Sequence, residues 1–117
     1  MTFARANPRR ATLLAGLLLA LAHGPARAEG PLGFDLTLKD HRFTPAEIHV
    51  PSGKRVDLRL HNQDSTAEEF DSPALKTEKV VAAGASVVIH LRPLAPGRFP
   101  FMGEFHPDTA QGAVIAE

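Results

Sequence analysis

Two acidic segments of the chain carry residue types that can hold a metal ion. Near the C-terminal end, Phe99 to Gly112 reads FPFMGEFHPDTAQG, where one histidine, His106, sits among the carboxylates Glu104 and Asp108. In the middle of the chain, Glu68 and Glu69 open the segment EEFDS. Carboxylate and imidazole donors together suit iron, zinc, manganese or copper(II), whereas copper(I) is drawn to soft sulfur ligands. The sequence has no cysteine, which excludes thiolate ligation, thiol redox relays and cysteine-based zinc or iron–sulfur sites. Met102 is the soft donor nearest the loop. Strand alternation points it away from the side shared by Phe101 and Gly103, onto a second, more exposed face.

The elements that must position these residues read as short strands separated by turns, with no long helical periodicity. FDLTL (Phe34 to Leu38) alternates apolar and polar, and RVDLRLHN places Val56, Leu58 and Leu60 on one face. IHV (Ile48 to Val50) is a further strand, closed by Pro51-Ser52-Gly53, a composition that suits a tight turn. ASVVIHL sets Val87, Ile89 and Leu91 opposite Val88 and His90, while GRFPF and GAVIA are each entered through a glycine. Six or seven such strands predict an all-β antiparallel sandwich. The stretch from Asn62 to Lys79 reads as the longest irregular piece, of a length that is usually functional or covers a core edge. His49, His61 and His90 alternate with apolar residues and are expected to face water.

The first residues have the three parts of an export signal. Arg5, Arg9 and Arg10 form a basic start, Ala11 to Ala22 an apolar run, and Ala26-Arg27-Ala28 a small-x-small cleavage site. Residues 1–28 are therefore read as a signal peptide cleaved after Ala28, and residues 29–117 as one domain. The twelve-residue apolar run falls short of the ~20 residues that span a bilayer, so no membrane anchor is expected after cleavage. The pair Arg9-Arg10 leaves the Sec and twin-arginine export routes both open. The whole chain has 13 Lys/Arg and 13 Asp/Glu. Removing Arg5, Arg9, Arg10 and Arg27 leaves nine cations against 13 acids, a formal charge of −4. Such a surface offers no basic stripe for nucleic acid and favours a cationic partner.

Four segments in this order resemble the cupredoxin family. FTPAEIHVPSGKRVDLRLHN follows its F-x-P-x-x-I-x-V-x-x-G-x-x-V-x-L-x-x-x-N pattern, EEF stands where many members have HEF, PGRFPF matches the G-x-Y-x-F strand, and MGEFHPDTAQG matches the ligand loop. The resemblance covers nearly all of residues 34–116 and implies a Greek-key β-sandwich. It also implies that the first histidine ligand of a blue-copper site is replaced by Glu68 and the cysteine by Gly103. The second histidine is His106, and the methionine position falls on Thr109 or Ala110. No type 1 copper is then expected. The family's fold would bring Glu68 and His106 to one pole, with His41 beside the loop histidine and Glu69 and Glu104 as further oxygen donors. Glycine at 103 leaves room for a larger ion with water, or lets the loop close on itself.

Within the family, the export signal, the lack of cysteine, EEF and GEFH look most similar to EfeO-type cupredoxin-like proteins of periplasmic iron uptake. The resemblance implies a periplasmic metal-binding protein, carrying iron or copper(II), that assists a membrane permease system. Glu68 and His106 would hold the ion loosely while His41 and Glu104 complete the shell. The alternative is a metal-free interaction module with the old ligand pole as a docking face and Phe105 as its anchor. The chain is not read as an enzyme, although a part in iron oxidation with a partner stays open.

Overall fold

A computed structural model describes residues 30–117 continuously, together with the isolated positions 2, 4 and 16. The expected leader and its cleavage point lie outside the described residues. Nine strands follow in order: β1 (Leu32–Lys39), β2 (Arg42–Thr44), β3 (Glu47–Val50), β4 (Val56–Asn62), β5 (Glu68–Ser72), β6 (Thr77–Val81), β7 (Ser86–Leu91), β8 (Gly97–Gly103) and β9 (Gln111–Ala116). They form a four-stranded sheet, β2-β1-β4-β7, and a five-stranded sheet, β3-β9-β8-β5-β6. The all-β sandwich read from the sequence is the architecture found, and no helix occurs among the described residues.

The expectation of antiparallel pairing needs a correction. Strands β1 and β4 run parallel, with Leu36 opposite Leu60, and β3 and β9 run parallel, with Ile48 opposite Val114. The other described pairs are antiparallel. The chain leaves the first sheet after β2, lays β3 on the edge of the second and returns as β4. That detour supplies the crossover connection a parallel pair requires. At the β3 to β4 turn, Gly53 has φ of +73°, the left-handed conformation that its lack of a Cβ permits.

A second correction concerns the segment expected to be irregular between Asn62 and Lys79. It contains β5 and the start of β6. Its inward residues conceal the strand signal, because Glu68, Phe70 and Ser72 are the buried set and two of the three are polar.

Period-two alternation sends Leu36, Leu38, Leu58, Leu60, Ile89 and Leu91 of the first sheet into the core, against Phe70, Phe101, Val81 and Val114 of the second. Three phenylalanines close one end of this core. The ring of Phe101 lies 4.8 Å from that of Phe70 and 5.1 Å, edge to face, from that of Phe43, separations at which aromatic pairs attract beyond their area burial. Each of the three stands two residues from a member of the expected ligand pole: His41 before Phe43, Glu68 before Phe70 and Gly103 after Phe101. On β5 and β8 a two-residue step keeps the same face, so Glu68 and Gly103 line the core side directly above the aromatic floor.

Candidate metal centre

Glu68 is the first residue of β5 and is fully buried. A carboxylate out of water is tolerated only where hydrogen bonds replace its hydration. Here Oε1 accepts the backbone N–H of Phe105 at 2.8 Å and of Glu69 at 3.0 Å, and Oε2 meets Nδ1 of His106 at 2.6 Å. The loop that bears His106 is shaped by its own backbone. The amide of His106 donates to the carbonyl of Gly103 (3.1 Å), and that of Ala110 to the carbonyl of His106 (2.9 Å).

His41 enters from the turn between β1 and β2. Asp40 and His41 both hold left-handed backbone angles, φ +51° and +56°, a conformation uncommon for residues other than glycine, although Asp and His tolerate it better than most. Asp64 holds the turn, since its two carboxylate oxygens accept the amides of Asp40 (2.7 Å) and His41 (3.0 Å). Burial alone would raise the Asp64 carboxyl. The amides of His41 and Asp40, with the nearby His41 and His106 rings, outweigh burial and hold it below its ordinary value. Asp64 is itself placed by Asn62, which is 2% exposed. The side-chain carbonyl of Asn62 accepts the Asp64 amide (2.9 Å), and its amide group donates to the carbonyls of Thr66 (2.9 Å) and Ala82 (3.2 Å).

The turn lays the His41 ring on that of His106, with centroids 3.6 Å apart and planes 13° from parallel. Donor atoms of His41, Glu68 and His106 all lie within 4.8 Å of one another. Nδ1 of His41 is buried without a hydrogen-bond partner, although Oδ2 of Asp64 stands 3.4 Å away. A buried ring nitrogen left unpaired calls for an explanation, and a cation is one.

Glu69 and Glu104 stand outside this group of three. Alternation puts Glu69 on the opposite face of β5 from Glu68. The Glu69 carboxyl is pushed up by partial burial and by the charges of Glu104, Glu78 and Asp71. These acids repel one another on the outer face of the five-stranded sheet. Met102 is 38% exposed between buried Phe101 and Gly103, as alternation requires. His49, His61 and His90 are surface residues paired with Glu117, Asp35 and Asp57. Asn62 and Asp64 carried no signal as site residues in the sequence, beyond the asparagine that ends the long motif.

The donor set fits a nitrogen–oxygen site and not a copper–thiolate one. Two imidazoles and one carboxylate are assembled, and a Cβ placed on Gly103 would lie 2.6 Å from Cδ of Glu68. The carboxylate therefore fills the space that any side chain at 103 would enter.

Comparison with known proteins agrees with the sandwich. A family model described as a cupredoxin-like domain matches residues 11–116. An uncharacterized protein of Rickettsia prowazekii (strain Madrid E) is 37% identical over 122 residues, covering 98% of each chain. Among solved structures, auracyanin A, a blue copper protein of Chloroflexus aurantiacus, superposes with a TM-score of 0.64 at 15% identity, over 75% of this chain and all of its own. The metal-binding domain of the Cu(I)-exporting P-type ATPase CopA of Streptococcus pneumoniae D39, solved with Cu(I), gives a TM-score of 0.67 at 15% identity, over 76% of this chain and 89% of its own. At such identities the two structures speak to the fold.

Proposed function

The chain belongs to the cupredoxin-like domain family, and from that premise we propose that it is an exported metal carrier which holds copper(II) or iron as cargo for a membrane uptake system. The observation that carries this reading is the convergence of His41, Glu68 and His106 within 4.8 Å, with a buried nitrogen of His41 unpaired. Support for the metal class comes from the donors, since imidazole and carboxylate suit copper(II) and iron. The solved relatives named above include copper proteins.

The residues divide the work by their surroundings. Glu68, pinned by two amides, is the fixed donor, and its negative charge lowers the cost of holding a cation at the rim of the core. His106 is 29% exposed in its side chain and is the face through which cargo enters and leaves. A site with three protein donors and an open side exchanges ligands more readily than a closed four-ligand structural site. Delivery to a permease requires such exchange.

The experiment is titration of the metal-free protein with Cu(II), Fe(II) and Fe(III), beside a Glu68→Ala, His106→Ala double variant. The reading expects near-stoichiometric binding of at least one of these ions by the native chain and loss of it in the variant. Equal metal content in both would sink it. A second reading, in which the pole is a docking face, is favoured by one observation: Phe105 is 51% exposed beside His106. Under that reading Phe105→Ala abolishes partner capture while metal has no effect on it.

A further inference from the structure

Gly103 ends β8, and its backbone is held from three sides. It pairs with Phe70 of β5, its amide donates to the Ala110 carbonyl at 2.8 Å, and its own carbonyl accepts the His106 amide at 3.1 Å. Among the described residues the glycines with positive φ are Gly53, Gly84 and Gly97, so backbone conformation does not explain a glycine at 103. Space does. A Cβ there would stand 2.6 Å from Cδ and 2.9 Å from Oε1 of Glu68, and 2.7 Å from Cβ of Ala110. Carbon atoms do not approach this closely, because dispersion attraction turns to steep repulsion well outside 3 Å. With the backbone fixed by its hydrogen bonds, the Glu68 carboxylate and the Ala110 methyl are the two groups in the way, and of these only the carboxylate is the far end of a flexible side chain.

We infer that Gly103 is the specificity-determining residue of this pole: by carrying no side chain it keeps the Glu68 carboxylate among the donors, and so favours Cu(II) over the softer Cu(I). The inference rests on the metal-carrier reading above. Any side chain at 103 drives the carboxylate out of the amides of Glu69 and Phe105 and leaves the two imidazoles alone. Imidazoles still accept Cu(I), whereas a charged oxygen contributes most to a divalent cation. Gly103 and Glu68 thus act as one unit, and position 103 cannot take a side chain while the carboxylate keeps its place.

The test is run in an Ala110→Gly background, which removes the Ala110 methyl and leaves the Glu68 carboxylate as the close contact of a methyl group at 103. Cu(II) and Cu(I) affinities are measured by competition titration. Gly103→Ala is expected to weaken Cu(II) roughly 10- to 100-fold, the usual loss when a group that orients a ligand is disturbed, and to change Cu(I) by less than about threefold on the same reasoning. Unchanged Cu(II) affinity, or equal losses for both ions, overturns the inference. Thermal melting of the metal-free proteins supplies a readout that needs no metal. Once Glu68→Ala is present, adding Gly103→Ala is expected to lower the melting temperature no further, because the carboxylate it would displace is gone. A further fall in melting temperature on adding Gly103→Ala overturns the coupling. A native chain that binds neither copper ion overturns the Cu(II) preference, one that binds neither copper nor iron defeats the carrier reading itself, and in both cases the melting comparison still decides whether Gly103 and Glu68 are coupled. It does so even if Gly103→Ala alone does not fold, since both proteins compared carry Glu68→Ala.

Discussion

Replacing Glu68 tests how the pole is held together, and the structure sets the size of the effect. In Glu68→Ala the part-buried amides of Phe105 and Glu69 lose their acceptor, a carboxylate that is itself fully buried. An unsatisfied buried donor costs about 1–3 kcal/mol, so the pair costs about 2–6 kcal/mol before relief. Removing a buried charge returns part of that, since a carboxylate out of water is itself unfavourable. The expected net loss is about 2–4 kcal/mol, within reach of the whole stability of a small domain. Glu68→Gln keeps an oxygen for the two amides and offers His106 an N–H donor in place of an acceptor, so its loss is about 1 kcal/mol. The discriminating quantity is the gap between the two variants. The assay is urea unfolding of the metal-free protein followed by circular dichroism, because the chain contains neither Trp nor Tyr and lends itself poorly to fluorescence. A Glu68→Ala protein within about 0.5 kcal/mol of native, the range of an ordinary surface substitution, would show that the amides do not depend on this carboxylate and would refute the description of the cradle.

Three further outcomes follow from particular residues. The Asp64 carboxyl is held below its ordinary value, so the stability it contributes is fully present above its unfolded pKa of about 3.9 and is lost as pH falls through the lower folded value. The stability difference between native and Asp64→Asn proteins, measured by unfolding at stepped pH, should therefore shrink below about pH 4. The Glu69 carboxyl is raised by partial burial and neighbouring acids, so its ionised form destabilises the fold as pH rises past its unfolded value, and Glu69→Gln should stabilise the protein at neutral pH but not in acid. Asn62→Ala removes the acceptor of the Asp64 amide and the donor to Thr66 and Ala82; a loss of about 2 kcal/mol is expected, together with weakened Cu(II) binding through the misplaced His41 turn, read by titration.

The legible part of this molecule was the part written in apolar alternation. Strands β1, β4 and β7 announce themselves through Leu36 and Leu38, Val56 to Leu60 and Val87 to Leu91, because each buries one face only. Strand β5 was missed because its inward positions are used for hydrogen bonding: Glu68 serves the pole, and Ser72 Oγ donates to the Pro100 carbonyl at 2.7 Å. Parallel pairing of β1 with β4 depends on where the chain crosses between sheets, which no local pattern records. At the pole, Glu68, His106 and His41 came from the resemblance in motif order. Asp64 and Asn62 act through backbone amides, and a residue that holds a turn has no signature apart from the turn it holds. The fit between Gly103 and Glu68 is a contact between residues 35 positions apart, visible only once β5 and β8 are neighbours.

The three donors do not belong to one layer. His41 hangs from the sheet of β1 and β2, while Glu68 and His106 belong to the sheet of β5, β8 and β9. A chelated cation would be a rivet through the sandwich, tightening two halves that otherwise adhere chiefly through oily side chains. Loading the protein should then slow amide hydrogen exchange on both sides of the seam at once, and cargo release should loosen them together.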